Sequence, residues 1–288
     1  MYPAEFDYYR PKTLAEAITL LRKHKGAKVL AGGHSLLPMM KLRAAAPPAL
    51  VDIGRVKGLS AIKVTRSAAK VGAMTTHHAI ATNEALQAAC PILCEAAAEI
   101  GDQQVRYRGT IGGSLVHADP AADYPTVILA LGATLTAASS RGEREIQAAK
   151  FFTDLFTVSL RANEILTGIT APVLGAGMGS AYVKHRHPAS GFAVVGVAAL
   201  VGLSDGMCSR VSLVIGGVIT NPVHATAAEQ ALVGQAPTEA NFAAAADTVA
   251  EVLADPLGDI YASGEYRVHL AKVMARRALM KAAERAQG

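Results

Sequence analysis

The chain has 288 residues and a net charge of +5, roughly two domains' worth at ~150 residues each. Apolar residues make up 51% and charged residues 18%, a globular composition that excludes a disordered chain. Three cysteines (Cys90, Cys94 and Cys208) exclude a disulfide framework and also a self-contained iron–sulfur cluster, which takes four thiolates.

The first unit opens with a helix. Thr13 and Glu16 form a T-x-x-E capping box behind Pro11. Leu14, Ala17, Ile18 and Leu21 then recur at i, i+3, i+4 and i+7, which makes one apolar face. Lys28 to Ala31 reads as a short buried strand running into Gly32-Gly33-His34-Ser35, with a single helical turn over Met39 to Leu42 after Pro38 and a further strand over Leu50 to Ile53.

The second unit starts near Gly58. Ala61–Val64 and Ala69–Gly72 read as a hairpin, Glu84 to Ile100 as an alanine-rich helix, and Gln104 to Ser114 as a polar, glycine-bearing stretch. Asp123 reads as the cap of a helix with Pro125 in its first turn, Glu164–Ile169 as a closing strand, and Pro172–Gly179 as a linker. In the third unit three strands (Ser180–Lys184, Ala193–Leu203, Arg210–Ile219) precede helices over about 225–232 and 238–253 and a last helix from about Glu265. Strands followed by helices suggest an α+β domain.

Lys and Arg are scattered and there is no Trp, a poor pattern for nucleic-acid binding. The longest apolar run, Phe192–Leu203, is 12 residues, short of the ~20 of a membrane-spanning helix. Met1–Phe6 has no basic region followed by an apolar stretch, so no signal peptide is expected and the expected location is cytoplasmic.

The main chemical signal is a pair of double-glycine turns, Ala31-Gly32-Gly33-His34-Ser35 and Thr110-Ile111-Gly112-Gly113-Ser114, each beside a hydroxyl residue. Glycine lets backbone approach a ligand closely, and successive free N–H groups form an anion-binding nest. Either loop alone is also what an ordinary tight turn looks like; together they could bind a pyrophosphate. Neither G-x-G-x-x-G nor G-x-x-x-x-G-K-[ST] is present, so a dinucleotide would bind between domains and not on one βαβ unit.

His117, Asp119 and Asp123 read either as metal ligands or acid–base groups or, more simply, as a turn and a helix cap. An aspartate just downstream of a diphosphate loop could also accept a bond from a ribose hydroxyl. His77-His78 reads as a surface or turn pair, Cys90 and Cys94 as core neighbours at i and i+4 of one helix, and Lys184-His185-Arg186-His187 as a solvated basic edge.

These motifs, with Phe6-Asp7-Tyr8, Arg10-Pro11, Leu36-Leu37-Pro38-Met39-Met40-Lys41, Val51-Asp52-Ile53, Gly72-Ala73-Met74-Thr75, Gln104-Val105-Arg106 and Glu265-Tyr266-Arg267, resemble the FAD-binding medium subunit of the molybdenum hydroxylases, a family that includes xanthine dehydrogenase and aerobic carbon monoxide dehydrogenase. The resemblance implies an α+β fold: a vanillyl-alcohol-oxidase-like (PCMH-type) FAD-binding domain of two α/β subdomains, residues 1–56 and 57–174, and a C-terminal flavoprotein domain with a small antiparallel sheet and helices, 175–288.

It also implies FAD in this chain, a large partner subunit holding a molybdopterin cofactor, and a small one holding two [2Fe-2S] clusters, assembled as a dimer of heterotrimers. Substrate would be oxidised at molybdenum, and electrons would pass through the clusters and FAD to an external acceptor. Carried over by position, Val29, Leu30, Ala31, Gly32, Gly33, His34, Ser35 and Leu36 together with Thr110, Ile111, Gly112, Gly113 and Ser114 would line the pyrophosphate and isoalloxazine. Asp123 would hold the ribityl or ribose region, and Leu166, Lys184 and Phe192 would lie near the flavin ring. Catalytic and metal-binding residues are not expected in this chain.

Two positions depart from the family pattern: Ser114 stands where the motif often ends in Asn, and Phe192 where carbon monoxide dehydrogenases carry Tyr. The other readings are a stand-alone FAD-dependent oxidase and a non-enzymatic basic binding module.

Overall fold

The computed structural model describes residues 1–288. The strands form four sheets, three successive along the chain and a two-stranded one inserted within the second. The first is parallel, with strands β1 (Asp7–Tyr9), β2 (Lys28–Leu30) and β3 (Ala49–Asp52) in the order β1-β3-β2. Helix α1 (Leu14–Lys23) crosses between β1 and β2, and the six-residue α2 (Leu36–Lys41) between β2 and β3.

Half of the capping box forms at the start of α1: Glu16 N–H donates to Thr13 Oγ1 (3.2 Å), while the Glu16 carboxylate reaches past the cap residue and accepts from the Lys12 amide (2.9 Å). Ala17, Ile18 and Leu21 pack on Val51 and Ile53, and the same cluster takes in Ala138 and Ile165 of the next sheet. Helix α2 begins two residues before Pro38, earlier than the sequence suggests. A proline in the first turn of a helix loses no hydrogen bond there, because its amide would have had no intrahelical partner.

The second sheet is antiparallel, in the order β4-β5-β10-β6-β7, with β4 Ile62–Val64, β5 Ala68–Gly72, β6 Thr134–Ser139, β7 Gly142–Gln147 and β10 Ile165–Pro172. Strand β10 was expected to close the unit; it lies at the sheet's centre, which accounts for the burial of Ile165, Leu166, Ile169 and Ala171. A small hairpin of β8 (Phe152–Asp154) and β9 (Thr157–Val158) stands apart.

Six helices connect β5 to β6: α3 (His77–Ala81), α4 (Glu84–Ala89), α5 (Pro91–Glu99), α6 (Gln103–Arg108), α7 (Ile111–His117) and α8 (Asp123–Ala130). The single helix expected over 84–100 is broken at Cys90, because Pro91 starts a new helix and removes an interior amide. Cys90 is therefore a cap, while Cys94 lies within α5; both are buried.

The third unit is a sheet of β11 (Met178–Arg186), β12 (Ala193–Ser204), β13 (Met207–Gly216) and β14 (Val223–His224), antiparallel throughout. Helices α9 (Thr226–Leu232), α10 (Glu239–Asp247) and α11 (Gly264–Ala286) cover one face. The apolar run from 192 to 203 is explained by β12 being covered on both sides, as in any fully buried strand. Ala198 and Leu200 pack toward α8 with Tyr182 and Val214, while Val195, Val197, Ala199 and Val201 pack toward α11. Arg267 of α11 is buried and donates to the carbonyls of Val194 (2.9 Å) and Gly217 (2.8 Å). It thereby ties the last helix to the start of β12. No helix is long and apolar enough to cross a membrane.

Candidate functional site

A cleft of about 560 Å³ runs between the three units. From the first unit come Val29 to Leu36, at the C-terminal end of β2; from the second come Thr110, Gly112, Gly113, Ser114, Asp123 and Leu166; from the third comes the loop Ser190–Phe192. Two of the residues expected at the site do not line it. Ile111 is fully buried in the core beneath α7, because helical spacing turns it away from its glycine neighbours. Lys184 is buried too, held by partners described below.

The first glycine segment meets, backbone to backbone, the two residues just ahead of the second. A Cβ built on Gly32 would lie 2.3 Å from the carbonyl oxygen of Arg108 and 2.8 Å from Cα of Gly109. Any other residue at position 32 would push the loops apart. Gly33 has φ +80°, the left-handed region that glycine enters without strain.

The amides of Gly32, Gly33, His34 and Ser35 find no acceptor within the protein, so they form a row of donors at the cleft wall, the arrangement that holds an anion. The second segment is built differently. It was read as a turn, but Gly112 and Gly113 are the second and third residues of α7. Their amides are already engaged: Gly112 N–H donates to the Ala73 carbonyl (2.8 Å) and Gly113 N–H to Thr110 Oγ1 (3.2 Å). Ser114 N–H donates to the Thr110 carbonyl (3.0 Å). Gly112 has no room for a side chain, since a Cβ would come within 2.5 Å of Ala73 Cβ. The second segment thus supplies a close-packed wall, a helix N-terminus and the Ser114 hydroxyl, while the first supplies the free amides.

Asp123 is not the helix cap; Ala122 occupies that position and Asp123 opens α8. Its buried carboxylate accepts from Tyr182 Oη (2.7 Å) and from Lys184 Nζ, at 2.8 Å to Oδ1 and 3.1 Å to Oδ2. The Lys184 ammonium also donates to the Glu99 carbonyl (3.0 Å). Burial pushes the Asp123 carboxyl above its usual range, and Lys184 and then Tyr182 pull against that. The basic run is accordingly not one solvated edge: Lys184 is interior, and Arg186 donates to the Glu99 carbonyl (2.7 Å). Asp119 makes a turn, accepting from the Ala121 amide (2.9 Å), and no three His, Cys, Asp or Glu side chains converge on a metal position.

Several lining residues carry no signal in the sequence. His77, read with His78 as a surface or turn pair, is buried beside Tyr124 Oη (Nδ1···Oη 3.3 Å), with its Nε2 behind Gly109. Burial lowers its pKa to about 4, with smaller contributions from His34 and Arg106. Glu164 receives a bidentate Arg144 (2.8 Å on each oxygen) and the Arg161 amide (2.8 Å). Arg144 first, opposed by partial burial, holds it below the usual carboxylate range. Phe156, which packs against His117 at 5.2 Å between ring centroids, and Leu160 add to the apolar lining. Their partners come from strands far apart in sequence, and spacing cannot show that.

Residues 4–174 match the family described as FAD binding domain in molybdopterin dehydrogenase, and residues 180–282 the CO dehydrogenase flavoprotein C-terminal domain. The chain belongs to the FAD-binding medium subunits of the molybdenum hydroxylases.

It is 37% identical over 288 residues to the carbon monoxide dehydrogenase medium chain of Afipia carboxidovorans, covering 100% of both chains. It is also 37% identical to the 6-hydroxypseudooxynicotine dehydrogenase complex subunit alpha of Paenarthrobacter nicotinovorans, covering 100% of this chain and 97% of that one. Among solved structures, a chain of carbon monoxide dehydrogenase from Hydrogenophaga pseudoflava aligns at a TM-score of 0.95 with 39% identity, covering 99% of each. A chain of quinoline 2-oxidoreductase from Pseudomonas putida 86 aligns at 0.95 with 34% identity over 100% of each. The α+β architecture is that of a PCMH-type FAD-binding domain followed by a flavoprotein C-terminal domain. The protein is an oxidoreductase subunit, and neither a stand-alone oxidase nor a basic binding module is favoured by these relatives.

The residues present fit FAD. A diphosphate finds a row of unengaged amides on a loop whose position depends on the close approach of Gly32 to the Arg108–Gly109 backbone. The apolar wall of Leu30, Leu166 and Phe192 suits a flat aromatic ring system.

Proposed function

We propose that the FAD-binding cleft works asymmetrically. The amides of Gly32 to Ser35 take the diphosphate, and Thr110, Gly112, Gly113 and Ser114 close over it as a packed wall. Asp123 meets the ribityl or ribose hydroxyls, and Leu30, Leu166 and Phe192 border the ring. Lys184 contributes through Asp123, keeping a buried carboxylate ionised as an acceptor. When bound, FAD supplies the redox chemistry that links the iron–sulfur clusters of a small partner subunit to an external acceptor. Substrate oxidation belongs to the molybdopterin cofactor of a large partner subunit. The assembly we propose is a dimer of heterotrimers in the cytoplasm, with subdomains 1–56 and 57–174 gripping the cofactor and 175–288 closing the cleft.

The observation that carries this reading is the contact of the first glycine segment with the backbone leading into the second, at which a Cβ on Gly32 would overlap the Arg108 carbonyl. The substrate contacts lie outside this chain: similar proteins are named for substrates as different as carbon monoxide and 6-hydroxypseudooxynicotine.

Purification of the native complex tests the reading. Flavin absorption, FAD release on denaturation, and co-purification of two further subunits carrying molybdenum and iron are the expected results. A complex with no flavin would overturn the cofactor assignment, and full substrate turnover by this chain alone would overturn the subunit role.

A further inference from the structure

Residues 187–192 join β11 to β12, and Ser190, Gly191 and Phe192 of that loop line the cleft. Four of the loop's hydrogen bonds end on one residue. His187 N–H donates to the Phe192 carbonyl (2.8 Å), and Gly191 N–H donates to the His187 carbonyl (2.9 Å). The amides of Ala189 and Ser190 both donate to His187 Nδ1, at 3.2 Å each. A further bond, from Phe192 N–H to Ser190 Oγ, is long at 3.4 Å. Phe192 itself is 45% exposed at the cleft mouth, so little packing holds it in place.

A ring nitrogen accepts hydrogen bonds only when it carries no proton, so this loop requires the imidazole with hydrogen on Nε2. Asn or Asp does the same work in ordinary turns with a side-chain oxygen. An imidazole differs in one respect: in mildly acidic solution it takes up a proton. A protonated Nδ1 would confront two amide donors with a third.

Aromatic, acidic and basic side chains surround the ring. Tyr261 packs edge-on to it with centroids 4.6 Å apart. The neighbouring Asp259 carboxylate accepts from the Ala262 and Tyr261 amides and from Arg267 Nη2 (2.7 Å). Its carboxyl is held below the usual range, most strongly by the Ala262 amide, with His187 adding a smaller pull. On the strand side, His185 stacks with Tyr261 and meets Tyr266 edge-on, both at 6.4 Å, while Arg186 turns away to the Glu99 carbonyl.

We propose that His187 is a positioning residue for the cleft: unprotonated, it holds the loop that carries Phe192 at the mouth, and a proton on Nδ1 releases that loop. The consequence for the cofactor rests on FAD occupying the cleft; the loop's response to pH does not.

The test uses the purified complex with its flavin. Amide exchange at Ala189 and Ser190, corrected for intrinsic rates, is compared at pH 8 and pH 5 alongside the rate of FAD release. Protection is expected to fall about tenfold or more at the lower pH, with faster FAD release. His187→Asn, which keeps an acceptor that does not titrate, is expected to show protection at both pH values, and His187→Ala at neither. Wild-type protection that is the same at both pH values, or protection retained in His187→Ala, would overturn the proposal. Flavin absorption of the same samples keeps the two readings apart. A pH-responsive loop in a flavin-free complex would count against FAD alone, and an indifferent loop in a flavin-loaded one against His187 alone.

Discussion

The two glycine segments look alike in the sequence and are different devices in the fold. Gly32-Gly33 lies in an open loop after a parallel strand, and its amides and those of His34 and Ser35 are unengaged. Gly112-Gly113 lies inside the first turn of a helix, and its amides are spent on Ala73 and Thr110. A double glycine therefore marks a place where backbone must come close to something, without saying whether that something is a ligand or another strand of the same protein. In the function proposed above, the free amides of the first pair serve the ligand and the second pair serves the packing that presents it.

The largest effect is expected at the buried ion pair of Lys184 with Asp123. Lys184→Met leaves the Asp123 carboxylate buried without its cation. Breaking one half of a buried ion pair costs about 3–5 kcal/mol. Urea unfolding followed by circular dichroism should show a loss of that size, with FAD content falling alongside; an unchanged midpoint would mean that Asp123 is neutral in the native state.

Gly32→Ala comes next. With backbone on the other side of the clash, the loops must separate, at a cost of about 3 kcal/mol, the upper end for overpacking. The purified complex should contain little FAD. Its counterpart Gly113→Ala meets a hydroxyl, Thr110 Oγ1 at 2.8 Å, which can rotate. That variant should lose about 1 kcal/mol, the value of a helix cap bond, and keep its flavin. Equal losses from the two substitutions would erase the proposed asymmetry.

Acid should attack the second segment from below, where His77 sits behind Gly109. The His77 pKa is lowered in the folded chain from 6.5 to about 4. The unfolded chain therefore binds the extra proton first, so this group's stabilisation is complete above pH ~6.5 and is lost as pH falls toward 4. At ~1.4 kcal/mol per unit the loss is about 3 kcal/mol. Wild-type stability measured between pH 7 and pH 4 should show that slope, and His77→Gln should flatten it. Glu95 and Glu164, held low by arginine partners against the opposing cost of burial, add their losses only at lower pH, through the carboxylate range. A His77→Gln curve with the wild-type slope would show that the imidazole is not what the acid reaches.

Much of this architecture is legible in the sequence because it rests on local rules. The T-x-x-E box and the i, i+3, i+4, i+7 face define α1, and the long apolar run defines β12. The stretch from Gln104 to Ser114 is illegible for the opposite reason. Its glycines disfavour a helix, and α7 forms there because Thr110 caps it and Ala73 leaves no room above Gly112. The cleft residues divide in the same way. Gly32 to Ser35 announce themselves by composition, whereas Lys184 reaches Asp123 across 61 positions and Arg144 reaches Glu164 across 20. No spacing rule could pair either of them. The fate of His77 depends on Tyr124, 47 residues on.

The asymmetry between the two segments can be measured directly by amide hydrogen exchange on the complex with FAD and after its removal. The account predicts that FAD protects the amides of Gly32 to Ser35 strongly and changes those of Gly112 to Ser114 little. Protection gained equally at both segments, or only at Gly112 to Ser114, would contradict it.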